Sequence, residues 1–377
     1  MSKILAIDTS CDDSSAAILN NETVLSNIVA SQNQIHKKFG GVFPTLAKQA
    51  HKENLEPTIL MALQKSKSTF EELDAIAVTT GPGLAPALEI GIGFAKELAE
   101  KYQKKIIAIN HIEAHALSPL ALNNGKKSHK EKTAKKNFPA LAIVISGGHS
   151  EFILVNEIGK YKKIGKTIDD AAGECLDKVG RLLNLGYPAG SIIEQFAKKG
   201  HEGKFVFPKA MTDQKNFNLS FSGLKTYARN LIADLEKQKK LDKQTIFDLA
   251  LDLQNAVFDQ IIYKLERILL SPNLIKDEYP DRDFLKHLKK GNVPITEINE
   301  IWLGGGVAAN ITLRKKIRSL LKKYQKQSGK KIELKVPYSK KLCGDNAAMI
   351  GLTAYFKYQR KEFAQKNELD RKPNLEI

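Results

Sequence analysis

Residues 3–19 read KILAIDTSCDDSSAAIL: a short strand-like run, a turn of small and acidic side chains from Asp8 to Ser15, and a second apolar run from Ala16 to Leu19. The same outline returns at residues 140–155, ALAIVISGGHSEFILV, where a strand meets Ser146, Gly147, Gly148, His149 and Ser150 and then continues as another strand. Strand, small polar turn, strand occurring twice in one chain is an internal duplication. Each turn offers backbone N–H groups and small side chains, which suit phosphate oxygens or an oxyanion. Between the copies lie helical patterns, among them residues 44–64, and a further strand at residues 75–78. The expected fold class is therefore α/β: two similar domains, each a mixed sheet followed by helices, with a nucleotide cleft between them.

A third small-residue turn follows the apolar run Ile301, Trp302, Leu303 as GGGVAAN, residues 304–310, and a helix begins there. Glycines at such a turn let backbone approach a ligand closely, and Asn310 can exchange hydrogen bonds with a base or ribose. No Gly-Lys-Ser or Gly-Lys-Thr follows, so this is not a Walker loop.

Composition narrows the function classes. With 377 residues, 42% of them hydrophobic, the chain can bury two sizeable cores. No apolar stretch approaches the ~18 residues needed to cross a bilayer, and the first residues lack a signal-peptide pattern, so a cytoplasmic protein with no membrane association is expected. Cys11, Cys175 and Cys343 are far apart and form no Cys-x-x-Cys pair, which argues against a disulfide framework or a zinc knuckle. The 59 Lys and Arg outnumber 42 Asp and Glu, a net charge of +17 that would concentrate a polyanion such as RNA. Residues 125–136, GKKSHKEKTAKK, read as a solvated basic loop, and residues 314–331 as a basic amphipathic helix with Ile317, Leu320 and Leu321 on its apolar side.

The chemistry-bearing motif is NHIEAH, residues 110–115, directly after a strand-like run. His111 and His115 stand at i and i+4, so on a helix both imidazoles project from one face and can close on one cation. In the zinc-protease pattern His-Glu-x-x-His, the general-base glutamate follows the first histidine directly. Here Glu113 stands at i+2, turned to roughly the opposite face by the helical pitch, and a protease loses its base.

Three acidic spots accompany the pair. Asp12 and Asp13 lie on the first turn, where an acid orients a nucleophile or simply serves turn chemistry. Asp177 lies two turns into the helical pattern of TIDDAAGECLDK, residues 167–178, as a ribose-binding carboxylate or part of a solvated helix face. Asp345, in CGDNAAMI at residues 343–350, is either a helix cap or a third metal ligand.

Taken together these stretches resemble the tRNA N6-adenosine threonylcarbamoyltransferase (TsaD) family, formerly called glycoproteases. The segments that carry the resemblance are ILAIDTSCDDS, SQNQIHKKFGGVFP, VTTGPGLAPALEIGIGFAKELA, NHIEAH, SGGHS, TIDDAAGECLDKVGRLLNLGYPAG, NLSFSGLKT, GGGVAAN and CGDNAAMI, in family order to about residue 356. The resemblance implies an actin-like, sugar-kinase-like fold of two domains. The expected divisions are an N-terminal subdomain over residues 1–120, a Lys-rich connection over 121–139, a C-terminal subdomain with a helical insertion over 140–356, and a polar tail over 357–377 that packs back on the N-terminal subdomain.

By the same resemblance, His111, His115 and Asp345 are the metal ligands, for iron (Fe2+) or zinc. Val144, Ile145, Ser146, Gly147, Gly148, Asp177, Gly190, Glu194 and Asn310 are nucleotide-contacting positions, and Asp12 is the acid that assists catalysis. The implied reaction moves a threonylcarbamoyl group from threonylcarbamoyl-AMP to N6 of the adenosine beside the anticodon of tRNAs reading codons that begin with A. The implied partners are tRNA, the shorter paralogue TsaB and the small ATPase TsaE. The chain departs from the family pattern at Asp13, Thr45, Gln49, Pro86, Ala189 and Ser191, and residues 125–136 and 272–298 read as insertions. Two other function classes stand beside it: a small-molecule kinase on the same fold, which needs no paired-histidine metal site, and a non-catalytic ATP-binding or tRNA-binding scaffold, which would bind tRNA with steep salt dependence and produce no AMP.

Overall fold

A computed structural model of the chain describes residues 2–37, 39–124, 136–212, 214–271 and 295–377. Nearly all of the Lys-rich loop 125–136 and of the segment 272–298 lies outside the described residues. The chain divides into two compact units, Met1–Lys136 with Val336–Ile377, and Asn137–Lys335.

The first unit is built on six strands: β1 (Lys3–Asp8), β2 (Asp13–Asn20), β3 (Thr23–Ser31), β4 (Ala75–Gly81), β5 (Lys105–Asn110) and β6 (Leu122–Asn123), in the order β5-β4-β1-β2-β3-β6. β1, β2 and β3 form an antiparallel meander, whereas β4 and β5 run parallel to β1. The last register pair between β1 and β2 is Asp8 with Ser15. The acidic turn therefore sits at the carboxyl end of the central strand, where the connections leave in opposite directions, the usual place for a ligand site in an open α/β sheet.

The second unit repeats the plan. Its strands are β7 (Ala140–Ile145), β8 (Ser150–Glu157), β9 (Lys160–Lys166), β10 (Glu300–Gly304) and β11 (Glu333–Lys335), in the order β11-β10-β7-β8-β9. β7 to β11 take the places and directions of β1 to β5, and Ile145 opposite Ser150 closes the second hairpin as Asp8 opposite Ser15 closes the first. This doubled mixed sheet is the duplicated α/β core expected from the repeated hairpins, and it agrees with the actin-like, sugar-kinase-like fold that the family resemblance implies.

In the first unit, Leu5, Ile7, Ala16, Ile18, Ile76 and Val78 bury one sheet face in a core shared with Leu55 and Ile59 of the helix Pro44–Ser66, and with Leu88, Ile92 and Ala95 of the helix Ala85–Lys101. The helix Ala347–Gln359 packs against β1, β2 and β5. With helices packed on it, β1 is apolar and buried from Ile4 to Ile7 rather than alternating.

The contacts divide the chain differently from a boundary at residue 356. After β11 the chain returns, and Val336 onward joins the first unit. Its helix is apolar almost all round, so it needs a sheet face to cover it, and Gly351 gives it close approach: a Cβ there would stand 2.2 Å from Leu19 Cδ1 and 3.2 Å from Ala6 Cβ. The tail beyond it continues over the same unit, with Ala364 donating to Ile106 O and Lys372 to Thr80 O.

Replacing Gly351 by Ala would offset part of the crowding with about 1 kcal/mol of helix propensity. Gly351→Val is the cleaner test. Overpacking against Leu19 and Ala6 is expected to cost about 1–3 kcal/mol, read as a lower thermal midpoint.

Candidate metal centre

The helix His111–Leu117 starts where β5 ends. Asn110 caps it, its Oδ1 accepting from Ile112 N at 2.8 Å and Glu113 N at 3.1 Å, while its Nδ2 donates to Glu376 O of the tail at 3.1 Å. The cap fixes the first turn, and one turn sets His111 and His115 side by side. Both are buried.

Asp345 closes the group. His115 Nε2 donates to its Oδ1 at 3.1 Å and His111 Nε2 lies 3.4 Å from the same oxygen. The helix that follows is capped by Asn346, whose side chain accepts from Met349 N at 3.3 Å. Asp345 is thereby free of that cap and faces the imidazoles, where it could serve as a third ligand. One donor atom from each of His111, His115 and Asp345 lies within 4.8 Å of the others. The donor set suits a divalent cation, and Nδ1 of both histidines is buried without a hydrogen-bond partner among the described residues.

Asp8, at the end of β1, was not singled out by sequence reasoning, yet its Oδ1 lies 3.7 Å from His111 Nδ1. Thr79 Oγ1 and Ser10 N donate to that oxygen at 2.8 and 3.2 Å, and Oδ2 has no hydrogen-bond partner among the described residues. A carboxylate behind a ligating imidazole fixes ring orientation and raises basicity. Burial disfavours the His111 imidazolium, but Asp345 and Asp8 outweigh it and push the ring up to about 10. Burial dominates at His115, where it and the charge of His111 hold the ring below its ordinary value. Burial also opposes the charge on Asp345, yet His111 and His115 keep that carboxyl well below the usual carboxylate range.

Glu113 is buried beside Lys357, Oε2 lying 3.7 Å from the ammonium nitrogen. It is matched to a cation in a helix packed on the sheet, which leaves the protease mechanism without its base.

The acidic turn lies in the same unit. Burial raises the Asp12 carboxyl above its ordinary value; a hydrogen bond from Cys11 acts the other way, and the nearby Asp345 adds to the rise. Asp13 is pushed up to about 7, first by burial and further by Asp12, Asp345 and Asp8, against a hydrogen bond from Ser31.

In the second unit, Val144 and Ile145 are fully buried in β7, so their contribution to any ligand is backbone. The turn beyond them is open. Gly147 and Gly148 are exposed, and a Cβ at either would meet nothing within 4 Å. Ser146 N donates to His149 O and Ser146 Oγ accepts from His149 N, at 2.8 and 3.0 Å. Two further glycines crowd this turn: a Cβ at Gly173 would stand 2.6 Å from Ser146 O, and one at Gly305, where φ is +91°, 2.3 Å from Ile145 O. The glycine-rich turn after β10 thus adjoins the hairpin turn after β7, which sequence spacing could not reveal, and Gly173 joins them. Asp177 Oδ1 accepts from Ala189 N and Gly190 N at 2.8 and 2.9 Å. Asn310 caps the helix Ile311–Ser328 and donates to Gln254 Oε1 at 2.8 Å, and Glu194 Oε1 accepts from Ile311 N at 2.9 Å. These four residues are positioned by one another's elements.

The family profile described as "tRNA N6-adenosine threonylcarbamoyltransferase" matches residues 23–352. The curated protein of that name from Thermosipho africanus is 39% identical over 376 residues, covering 99% of both chains. The one from Wigglesworthia glossinidia brevipalpis is 38% identical over 361 residues, covering 95% of this chain and 93% of its own. Among solved structures, component A of the (R)-2-hydroxyglutaryl-CoA dehydratase of Acidaminococcus fermentans aligns with a TM-score of 0.48 at 13% identity, over 95% of this chain and 100% of that one.

Two measurements check this geometry. Asp8→Asn is expected to weaken divalent-metal binding about 10- to 100-fold with the fold intact, read by titration of metal-stripped protein followed by circular dichroism. For Asp13, a folded pKa near 7 lies above the unfolded value of about 3.9, so the folded state holds the extra proton in between. The stability this gives is complete below about pH 4 and is lost as pH rises through about 7. Asp13→Asn should therefore gain on the parent in thermal midpoint as pH is raised from about 5 to about 8; a constant difference would refute the assignment.

Proposed function

The chain belongs to the tRNA N6-adenosine threonylcarbamoyltransferase family, and from that premise we propose how its residues divide the reaction. It is a transferase that modifies tRNA to threonylcarbamoyladenosine. The acyl donor in this reading is threonylcarbamoyl-AMP, and the acceptor is N6 of the adenosine beside the anticodon of tRNAs reading codons that begin with A. The N6–carbonyl bond forms, the bond from that carbonyl to the phosphate oxygen breaks, and AMP leaves with the electron pair.

His111, His115 and Asp345 would hold one divalent cation, ferrous iron or zinc by the chemistry of two imidazoles and a carboxylate. When bound, the cation supplies a Lewis acid for the oxygens of the threonylcarbamoyl group. Asp8 orients His111. Asp12 accepts the N6 proton as attack proceeds, a role favoured by the burial that makes it more basic than a free aspartate. An exocyclic amine is a weak nucleophile, so holding both reactants in register carries much of the barrier reduction.

In the second unit, the N–H groups of Gly147 and Gly148 and the hydroxyl of Ser146 are assigned to the phosphate of AMP, with the strand end at Val144 and Ile145 setting their height. Asp177, Gly190, Glu194 and Asn310 are assigned to the nucleoside. The bonds from Ala189 N and Gly190 N to Asp177, from Ile311 N to Glu194 and from Thr312 N to Asn310 preorganise that wall before any ligand arrives.

Surface chemistry supports the partners. On the helix Ile311–Ser328, the exposed Lys315, Arg318, Lys322 and Lys326 recur at helical spacing along one side, a stripe suited to an RNA backbone. On the first unit, Phe39, Phe43, Leu60 and Met61 are each about half exposed, as a protein-binding face for TsaB would require; TsaE is assigned on the family resemblance alone. No helix among the described residues is long and apolar enough to cross a membrane, and all three cysteines are free, which agrees with a cytoplasmic setting.

The observation that carries the proposal is the three-donor cluster, whose members His115 and Asp345 lie 230 residues apart in sequence. The test incubates the metal-loaded chain, with and without TsaB and TsaE, with threonylcarbamoyl-AMP and unmodified tRNA, reading AMP and the modified nucleoside. Asp12→Asn is expected to lower kcat about 10²- to 10⁴-fold with little change in the KM for tRNA. His111→Ala is expected to lose metal and activity together; full activity in that variant would sink the reading.

A further inference from the structure

The segment SQNQIHKKFGGVFP and the histidine that follows it have no part in the reaction as described so far, yet they supply two buried imidazoles, His36 and His51, to the first unit. His51 lies on the helix Pro44–Ser66 and is 0% exposed. Its Nε2 is 3.0 Å from Cys11 O and its Nδ1 is 2.8 Å from Ser14 Oγ. A carbonyl oxygen only accepts, so Nε2 carries the proton. In the neutral ring Nδ1 then accepts from the Ser14 hydroxyl, itself fully buried. One rigid ring therefore grips the chain immediately before Asp12 and immediately after Asp13.

The rest of the turn is tied from the same side. Asp12 O accepts from Gln32 N at 3.2 Å. Gln32 Nε2 donates to Ala47 O on the helix that carries His51, and Gln32 Oε1 accepts from His36 Nε2 at 3.0 Å. His36 Nδ1 accepts from Phe43 N at 3.3 Å, which fixes that ring in the same tautomer. Ser10 O is held by Leu84 N at 2.8 Å. Every backbone oxygen from Ser10 to Asp12 is thus spoken for, and the aspartate is presented on a frame with little freedom.

We propose that His51 is a positioning residue for the transfer reaction: by bridging Cys11 and Ser14 it fixes the direction in which the Asp12 carboxylate meets the adenosine amine. The buried ring keeps its neutral form, since burial lowers its pKa against the pull of the Cys11 carbonyl and of Asp8 and Asp12. A carboxamide has one donor and one acceptor at nearly the separation of the two ring nitrogens, so Gln can reproduce the bridge without a titrating group. The proposal rests on Asp12 being the group that takes the amine proton.

The test uses the full metal-loaded chain with its partners at saturating tRNA, reading AMP release and modified nucleoside. His51→Ala is expected to lower kcat about 10- to 100-fold while metal content and the KM for tRNA stay as in the parent. His51→Gln should recover most of that loss. In an Asp12→Asn background, adding His51→Ala should cost almost nothing more, because both changes remove one contribution. Ser14→Ala, a milder change at the same bridge, should show the same dependence on Asp12 and decides the matter if His51→Ala does not fold. Full kcat in His51→Ala, or losses that multiply in the double variant, would overturn the positioning role and leave Asp12 standing. Full kcat in Asp12→Asn alone would overturn the reading of Asp12 and this proposal with it.

Discussion

Negative charge gathered at the carboxyl end of β1 is the constraint around which the first unit is arranged. Asp8, Asp12, Asp13 and Asp345 gather there: Asp345 raises the cost of ionising the largely buried Asp12, and Asp12, Asp345 and Asp8 raise that of Asp13. A buried carboxylate costs several kcal/mol unless a cation or hydrogen-bond donors meet it. The answering positive charge comes from imidazole. Asp345 and Asp8 raise the proton affinity of His111 against burial, and a divalent ion held by that ring in place of the proton would answer the same need more fully. Asp12 and Asp13, farther along the turn, retain the surplus as raised proton affinity. A carboxyl group that holds its proton more tightly than usual is better able to take one from a weakly acidic amine.

The second unit solves the complementary problem with the same architecture. Where the first hairpin turn is acidic, the second is Ser-Gly-Gly, and the residues packed beneath it are glycines whose missing side chains let backbone close on backbone. The duplicated fold thus offers two versions of one turn, the first rich in carboxylates and the second in unobstructed N–H groups. That difference lies in the few residues at each strand end, and apart from β6 the sheets around them match in order and direction.

Much of this was legible from local pattern. The doubled hairpin, the helical spacing of His111 and His115, and the small-residue turns at Ser146 and Gly304 all write themselves within a dozen residues, which is the range over which periodicity and turn chemistry act. Asp345 was legible as an acid before a helix, but its role depended on whether it or Asn346 took the cap. Asp8, His51 and Gly173 were not legible as site residues. Asp8 ends an apolar strand, His51 lies within a helix, and Gly173 sits in the first turn of another, so each looks locally ordinary. Their partners, His111, Cys11 with Ser14, and Ser146, come from elsewhere in the chain. The destination of residues 336–356 was hidden for the same reason: an all-round apolar helix announces that it is buried without saying against which sheet.

The return of the chain to its first unit also orders events during synthesis. The second unit is one uninterrupted stretch, Asn137–Lys335, and it leaves the ribosome whole. The first unit emerges earlier but without its closing helix and without Asp345, so its sheet waits with one face uncovered and its two histidines lack their third companion. At ~5–20 residues per second that interval is on the order of tens of seconds. The order in which domains usually mature is thereby reversed: the later-made unit can settle first, and the earlier-made one is completed only once Asp345 and the helix Ala347–Gln359 have followed it.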